Sequence, residues 1–123
     1  MNTPRSNAPH KTHDGTGHFL RQRLTALANI PLGLFFLFVA VTHAGADYET
    51  ARAFLARPWV TAALLAFLGS AIWHMYLGMQ TIIEDYVHHD ACKPFAVGAN
   101  LLFCVGVGLV CLLSALRIFL VQP

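Results

Sequence analysis

His74 is where the chemistry of this sequence concentrates, because it lies inside an apolar stretch running from Trp59 to Ile83. An ionisable side chain in such a setting is costly, and by default it marks a functional site. At 100° per residue, Phe67, Ser70, His74, Gly78, Thr81 and Asp85 fall within about 40° of one line along a helix. That line is mostly small or polar in an otherwise oily segment. Gly78, four places after the imidazole, lets a flat macrocycle or another helix approach the backbone closely. A neutral imidazole is a standard axial ligand of haem iron, so b-type haem is one partner that fits. The same line also reads as a hydrogen bond from His74 to a neighbouring helix, with the small residues easing packing.

Asp85 and Tyr86 follow at the end of the stretch, ~16–18 Å along the axis from His74. A phenol and a carboxylate there can donate to, and orient groups around, a quinone carbonyl; an aromatic-belt tyrosine beside a solvated acid is the plainer alternative. Arg23 stands at the start of another apolar run, placed to meet haem propionates or to snorkel to lipid phosphate. Only one strong ligand lies within a membrane-length stretch, because His43 falls at the end of the first run and His88 and His89 in a loop. Six-coordinate haem therefore needs a histidine from another chain. The spacings of His10, His13 and His18 fit no rigid helical metal site, and these read as surface histidines. The segment His88-His89-Asp90 reads as ordinary loop chemistry, with proton carriage to the quinone as a second use. Cys104 and Cys111, seven residues apart on one helix, would lie ~10 Å apart along its axis, beyond disulfide reach, so the cysteines are assigned to packing.

Three apolar runs must position these residues: Leu24 to Thr42, Trp59 to Ile83 and Ala96 to Leu116. Each has the ~17–20 residues needed to cross a hydrocarbon core, and the absence of period-2 alternation favours helices over barrel strands. The expected fold is all-α, an integral membrane bundle of three transmembrane helices over about 24–42, 59–86 and 95–117, preceded by a polar arm at 1–22. The 123 residues are 56% hydrophobic and 11% charged, about half the usual charged fraction, so water is the wrong solvent for them. The remainder leaves no room for a soluble catalytic domain; chemistry must sit in or at the membrane, with partner chains. A net charge of +2 without a basic run argues against nucleic acid.

Asn7-Ala8-Pro9, Gly15 and Gly17 point to a mobile arm. Pro31 and Gly33 inside the first run predict a kink and not a break. Arg57-Pro58 places a proline in the first turn of the second helix, and Pro94 separates the preceding loop from the third. Ala44-Gly45-Ala46 resembles a signal cleavage site, but the apolar run is too long and the preceding arm too polar for a signal peptide. The arm also lacks the amphipathic, Arg-rich helix of a mitochondrial presequence. Arg5, Lys11, Arg21, Arg23 and Lys93 fall on one side of a three-span topology, and Arg52, Arg57 and Arg117 on the other. The positive-inside rule then puts the N-terminus and the Asp85 loop in the cytoplasm, or a mitochondrial matrix, with a bacterial inner membrane the expected location.

The run His74-Met75-Tyr76-Leu77-Gly78-Met79-Gln80, followed by Asp85-Tyr86, resembles the hydrophobic membrane anchor, or D subunit, of succinate dehydrogenase. Arg23-Leu24-Thr25-Ala26 is similar to that family's Arg-x-Thr-Ala segment. The resemblance extends in architecture from about Gly17 to Gln122. It implies that His74 is one axial ligand of haem b, with Gly78 beside the macrocycle and Arg23 toward the propionates or the quinone entrance. It implies that Tyr86 hydrogen-bonds ubiquinone and that Asp85 supports that site. It further implies a second anchor subunit (cytochrome b), an iron–sulfur subunit and a flavoprotein subunit as partners, with this chain a non-catalytic subunit of a succinate:quinone oxidoreductase. The alternatives are a cofactor-free three-helix adaptor and the anchor of a quinol:fumarate reductase.

Overall fold

The computed structural model describes residues 13–121 of the chain; Arg5, Asn7-Ala8-Pro9, His10 and Lys11 lie outside the described residues, as do the side chains of His13 and Asp14. The described residues form four helices and no strand: α1 (His13–Thr42), α2 (Tyr48–Leu55), α3 (Pro58–Tyr86) and α4 (Cys92–Leu120). Three of them, α1, α3 and α4, are long and apolar enough to cross a membrane. At 29 residues, α3 and α4 are ~43 Å long against a hydrocarbon core of ~30 Å, so their ends reach into the headgroup layers.

α1 begins about two turns before Leu20, well inside the segment assigned to a polar arm, and Gly15 and Gly17 do not interrupt it. The apolar run supplies the helical nucleus, and each residue added before it gains a backbone bond for little further cost. The helix continues unbroken through Pro31. α4 likewise starts earlier than expected and takes Pro94 into its first turn, where a missing N–H removes no intrahelical bond.

The segment between Thr42 and Pro58, expected as a loop, contains α2. Its Ala56 N–H donates to the Arg52 carbonyl at 2.9 Å, and Thr61 Oγ1 donates to the Leu55 carbonyl at 2.7 Å, tying its end to α3. Pro58 stands at the start of α3 as anticipated, with Arg57 as its extended N-cap.

α3 is the middle helix of a row. α1 packs on one side of it and α4 on the other, α2 touches α3 and α4 at one end, and α1 and α4 do not meet. Aromatic rings close the α1–α3 contact near α2: Phe36 stacks on Phe67 at 5.5 Å and Phe35 meets Trp59 at 6.0 Å. Across α3–α4, Asn100 Nδ2 donates to the Tyr76 carbonyl at 3.2 Å, while within α4 Cys104 Sγ lies 3.6 Å from Asn100 Oδ1. Cys104 is buried as the packing assignment anticipates, whereas Cys92, at the helix start, is exposed and fills no core. Few side chains are enclosed within the chain, among them Val60, Leu77, Ile83 and Ala115, while Leu34, Phe38, Leu102 and Val110 are more than 60% exposed. Lipid and neighbouring subunits, not this chain's own interior, must cover that apolar surface.

Candidate functional site

His74 lies about two residues, or ~3 Å, from the midpoint of α3, placing the imidazole near the centre of the span. It faces α1. Its Nδ1 is 3.0 Å from Thr25 Oγ1, and Ser70, one turn earlier, donates from Oγ to the Thr25 carbonyl at 3.3 Å. A Cβ on Gly78 would meet Gln22 Nε2 at 3.7 Å, and one on Gly33 would meet Phe67 Cε2 at 3.7 Å. The small and polar line on α3 is therefore the face that receives α1. Of the two uses weighed for Gly78, the close approach of a helix is the one present within the chain.

The Thr25 hydroxyl also lies 3.0 Å from each of the carbonyls of Arg21 and Gln22. It has one proton. When that proton goes to a backbone carbonyl and Nδ1–H donates to the hydroxyl oxygen, two hydrogen bonds form; if the hydroxyl donates to Nδ1, only one does. Satisfying the most polar groups in an apolar span favours the first arrangement, which leaves the Nε2 lone pair unused. Among the described residues Nε2 has no hydrogen-bond partner, and His74 is half-buried, so this nitrogen is open to a group from outside the chain. No cluster of three metal-ligating side chains occurs among the described residues.

α1 contributes its own polar line opposite: His18, Gln22, Thr25 and Asn29 recur at spacings of four, three and four, one face of a helix. Among the described residues, His18 Nε2 and Asn29 Oδ1 are buried and have no hydrogen-bond partner. Thr25 stands in the Arg-x-Thr-Ala segment with no role evident from that motif; the heptad-like spacing in a membrane span is the signal that marks it.

Tyr86 ends α3 and is 77% exposed, with Asp85 exposed beside it. His88 Nδ1 donates to the Tyr86 carbonyl at 3.0 Å, so this loop histidine satisfies the end of α3. Tyr86 lies ~18 Å along the axis from His74, and nothing within the chain joins the two. Arg23 is exposed and sits ~200° around α1 from Thr25, off the face that meets His74. Its guanidinium lies over the Phe19 ring at 4.7 Å, directed toward the N-terminal end of α1. His74, Gly78 and Thr25 are thus brought together, Asp85 and Tyr86 form a separate exposed pair, and Arg23 stands apart from both.

Fold and site define a multi-pass helical membrane protein whose polar residues, among those described, line helix contacts and helix ends. The chain belongs to the succinate dehydrogenase/fumarate reductase transmembrane subunit family, whose model matches residues 1–115. It is similar to the succinate dehydrogenase membrane anchor subunit of Reclinomonas americana, at 36% identity over 71% of this chain and 75% of the relative. The hydrophobic membrane anchor subunits of Rickettsia felis (27% identity, 76% and 78% covered) and Coxiella burnetii (29%, 68% and 70%) are also similar. No solved structure matches the chain. The anchoring role, as a hydrophobic membrane anchor subunit of succinate dehydrogenase, follows from these relatives together with the three spans.

Proposed function

We propose that this chain binds b-type haem through His74 Nε2 and forms part of a ubiquinone site with Tyr86 and Asp85. The observation that carries the haem reading is the imidazole near the centre of α3, its Nδ1 held by Thr25 and its Nε2 unclaimed. That is the state an axial histidine requires, with one ring nitrogen hydrogen-bonded and the other free to coordinate. His74 would hold the group from this chain, and a second anchor subunit would supply the second histidine. When bound, haem supplies one-electron redox chemistry in a site of low polarity.

Tyr86, with its hydroxyl presented at a helix end, would donate a hydrogen bond to a quinone carbonyl, while Asp85 orients a water or a partner cation beside it. Arg23 would meet an anionic group near the N-terminal end of α1, either a propionate or a lipid phosphate. Electrons from succinate would reach the quinone through flavoprotein and iron–sulfur partner subunits docked on the cytoplasmic side, in a bacterial inner membrane. This chain would then anchor them without a succinate site of its own.

Replacing His74 with alanine in the intact complex tests the ligand. The expected result is an altered low-spin b-type spectrum, with or without retention of haem in changed coordination. An unchanged spectrum would leave His74 as a hydrogen bond between helices and nothing more.

A further inference from the structure

From the Thr25–His74 contact we infer that Thr25 is a positioning residue for the axial ligand, fixing its tautomer and ring plane from the neighbouring helix. The inference rests on the assignment of His74 as a haem ligand and goes beyond it, because it concerns what holds the ligand and sets its donor strength.

Three features of the contact support it. The Thr25 hydroxyl back-bonds to its own helix at the Arg21 and Gln22 carbonyls, so the side chain is held in one rotamer before the imidazole meets it. The Thr25 carbonyl is in turn engaged by Ser70 Oγ at 3.3 Å, one turn from His74 on the same helix. Two hydrogen bonds, both donated from α3 and accepted by Thr25, therefore register this residue against α3, and sliding α1 by one residue (~1.5 Å) would strain both. Finally, Gln22 lies against Gly78 one turn further on, so the α1–α3 contact continues beyond the level at which Thr25 reaches the ring at 3.0 Å.

The chemical consequence follows from the direction of the hydrogen bond. With Nδ1–H donating to the Thr25 oxygen, the proton is kept off Nε2 and electron density at Nε2 rises. A stronger donor favours the ferric over the ferrous state, as outer hydrogen bonds to ligating histidines do generally. Removing the acceptor should weaken donation, raise the reduction potential and free the ring to rotate.

The test is a comparison of Thr25→Val and Thr25→Ser in the purified, haem-loaded complex, read by the low-spin electron paramagnetic resonance g-values and by potentiometric titration of the haem. Valine keeps the volume and removes the hydroxyl; serine keeps the hydroxyl. The expected outcome is an upward shift of the potential with displaced g-values in Thr25→Val, and values near those of the parent in Thr25→Ser. Should Thr25→Val fail to assemble, Thr25→Cys, of similar size and a much weaker acceptor, is expected to give the upward shift instead. Parental values in the valine variant, or in the cysteine variant where valine fails, would overturn the inference. So would equal shifts in the valine and serine variants. His74→Ala, measured alongside, separates the two levels: if it alters the spectrum while Thr25→Val does not, the ligand stands and the positioning role falls. If neither alters it, the ligand assignment falls and the positioning role with it.

Discussion

Gly78 on α3 lies against Gln22 on α1, with 3.7 Å between the position of an added Cβ and the glutamine Nε2. Gly78→Ala would place a methyl group in ordinary contact and is expected to leave assembly unchanged. Gly78→Leu would overfill the contact and push α1 outward, destabilising the complex by about 1–3 kcal/mol. Thermal unfolding of the detergent-solubilised complex distinguishes the two, and equal melting of parent and leucine variant would mean that the helices are not held at this point.

Tyr86 is highly exposed at the end of α3, and no hydrogen bond of its hydroxyl is present among the described residues. Its replacement by phenylalanine should therefore cost the fold little. Loss of one net hydrogen bond to quinone, about 0.5–1.5 kcal/mol, corresponds to a fall of roughly 2- to 13-fold in succinate:quinone activity. Succinate oxidation with an artificial acceptor, fed from the soluble subunits, should be nearly intact. Equal loss of both activities would point to failed assembly, and retention of both would return Tyr86 to the aromatic belt.

Asn100 is buried and donates to the Tyr76 carbonyl across α3–α4. Polar bonds between helices within a bilayer average about 0.6 kcal/mol and reach about 1.7 kcal/mol. Asn100→Leu is expected to lower stability by an amount in that range while leaving the haem spectrum as it is, because His74 faces the opposite neighbour. A change in the spectrum would show that the two sides of α3 are coupled.

The Asp85 loop is expected on the cytoplasmic side. A cysteine at position 90, in a chain whose own cysteines have been replaced, should react with an impermeant thiol reagent applied from the cytoplasmic face. Reaction only from the opposite face would reverse the topology and with it the docking side of the soluble partners.

The sequence by itself was sufficient for the three spans, because a run of apolar residues long enough to cross hydrocarbon has few folded alternatives once its backbone must bond to itself. It also marked the α3 face through His74, since a polar line in an oily helix is visible as periodicity alone. The limits of the helices were less legible: His13 to Gln22 and Cys92 to Pro94 are helical although polar or proline-bearing, because helix propagates from an apolar nucleus into flanks of weak preference. Tertiary structure decided that α3 is the middle helix and that its polar line is turned to α1. In a lipid-covered chain the packing and lipid faces are both apolar, so hydrophobicity does not say which helix a face meets. The role of Thr25 depends on that choice. Its hydroxyl is unremarkable along α1, and only the antiparallel register that sets it 3.0 Å from His74, forty-nine residues away, gives it an imidazole to hold.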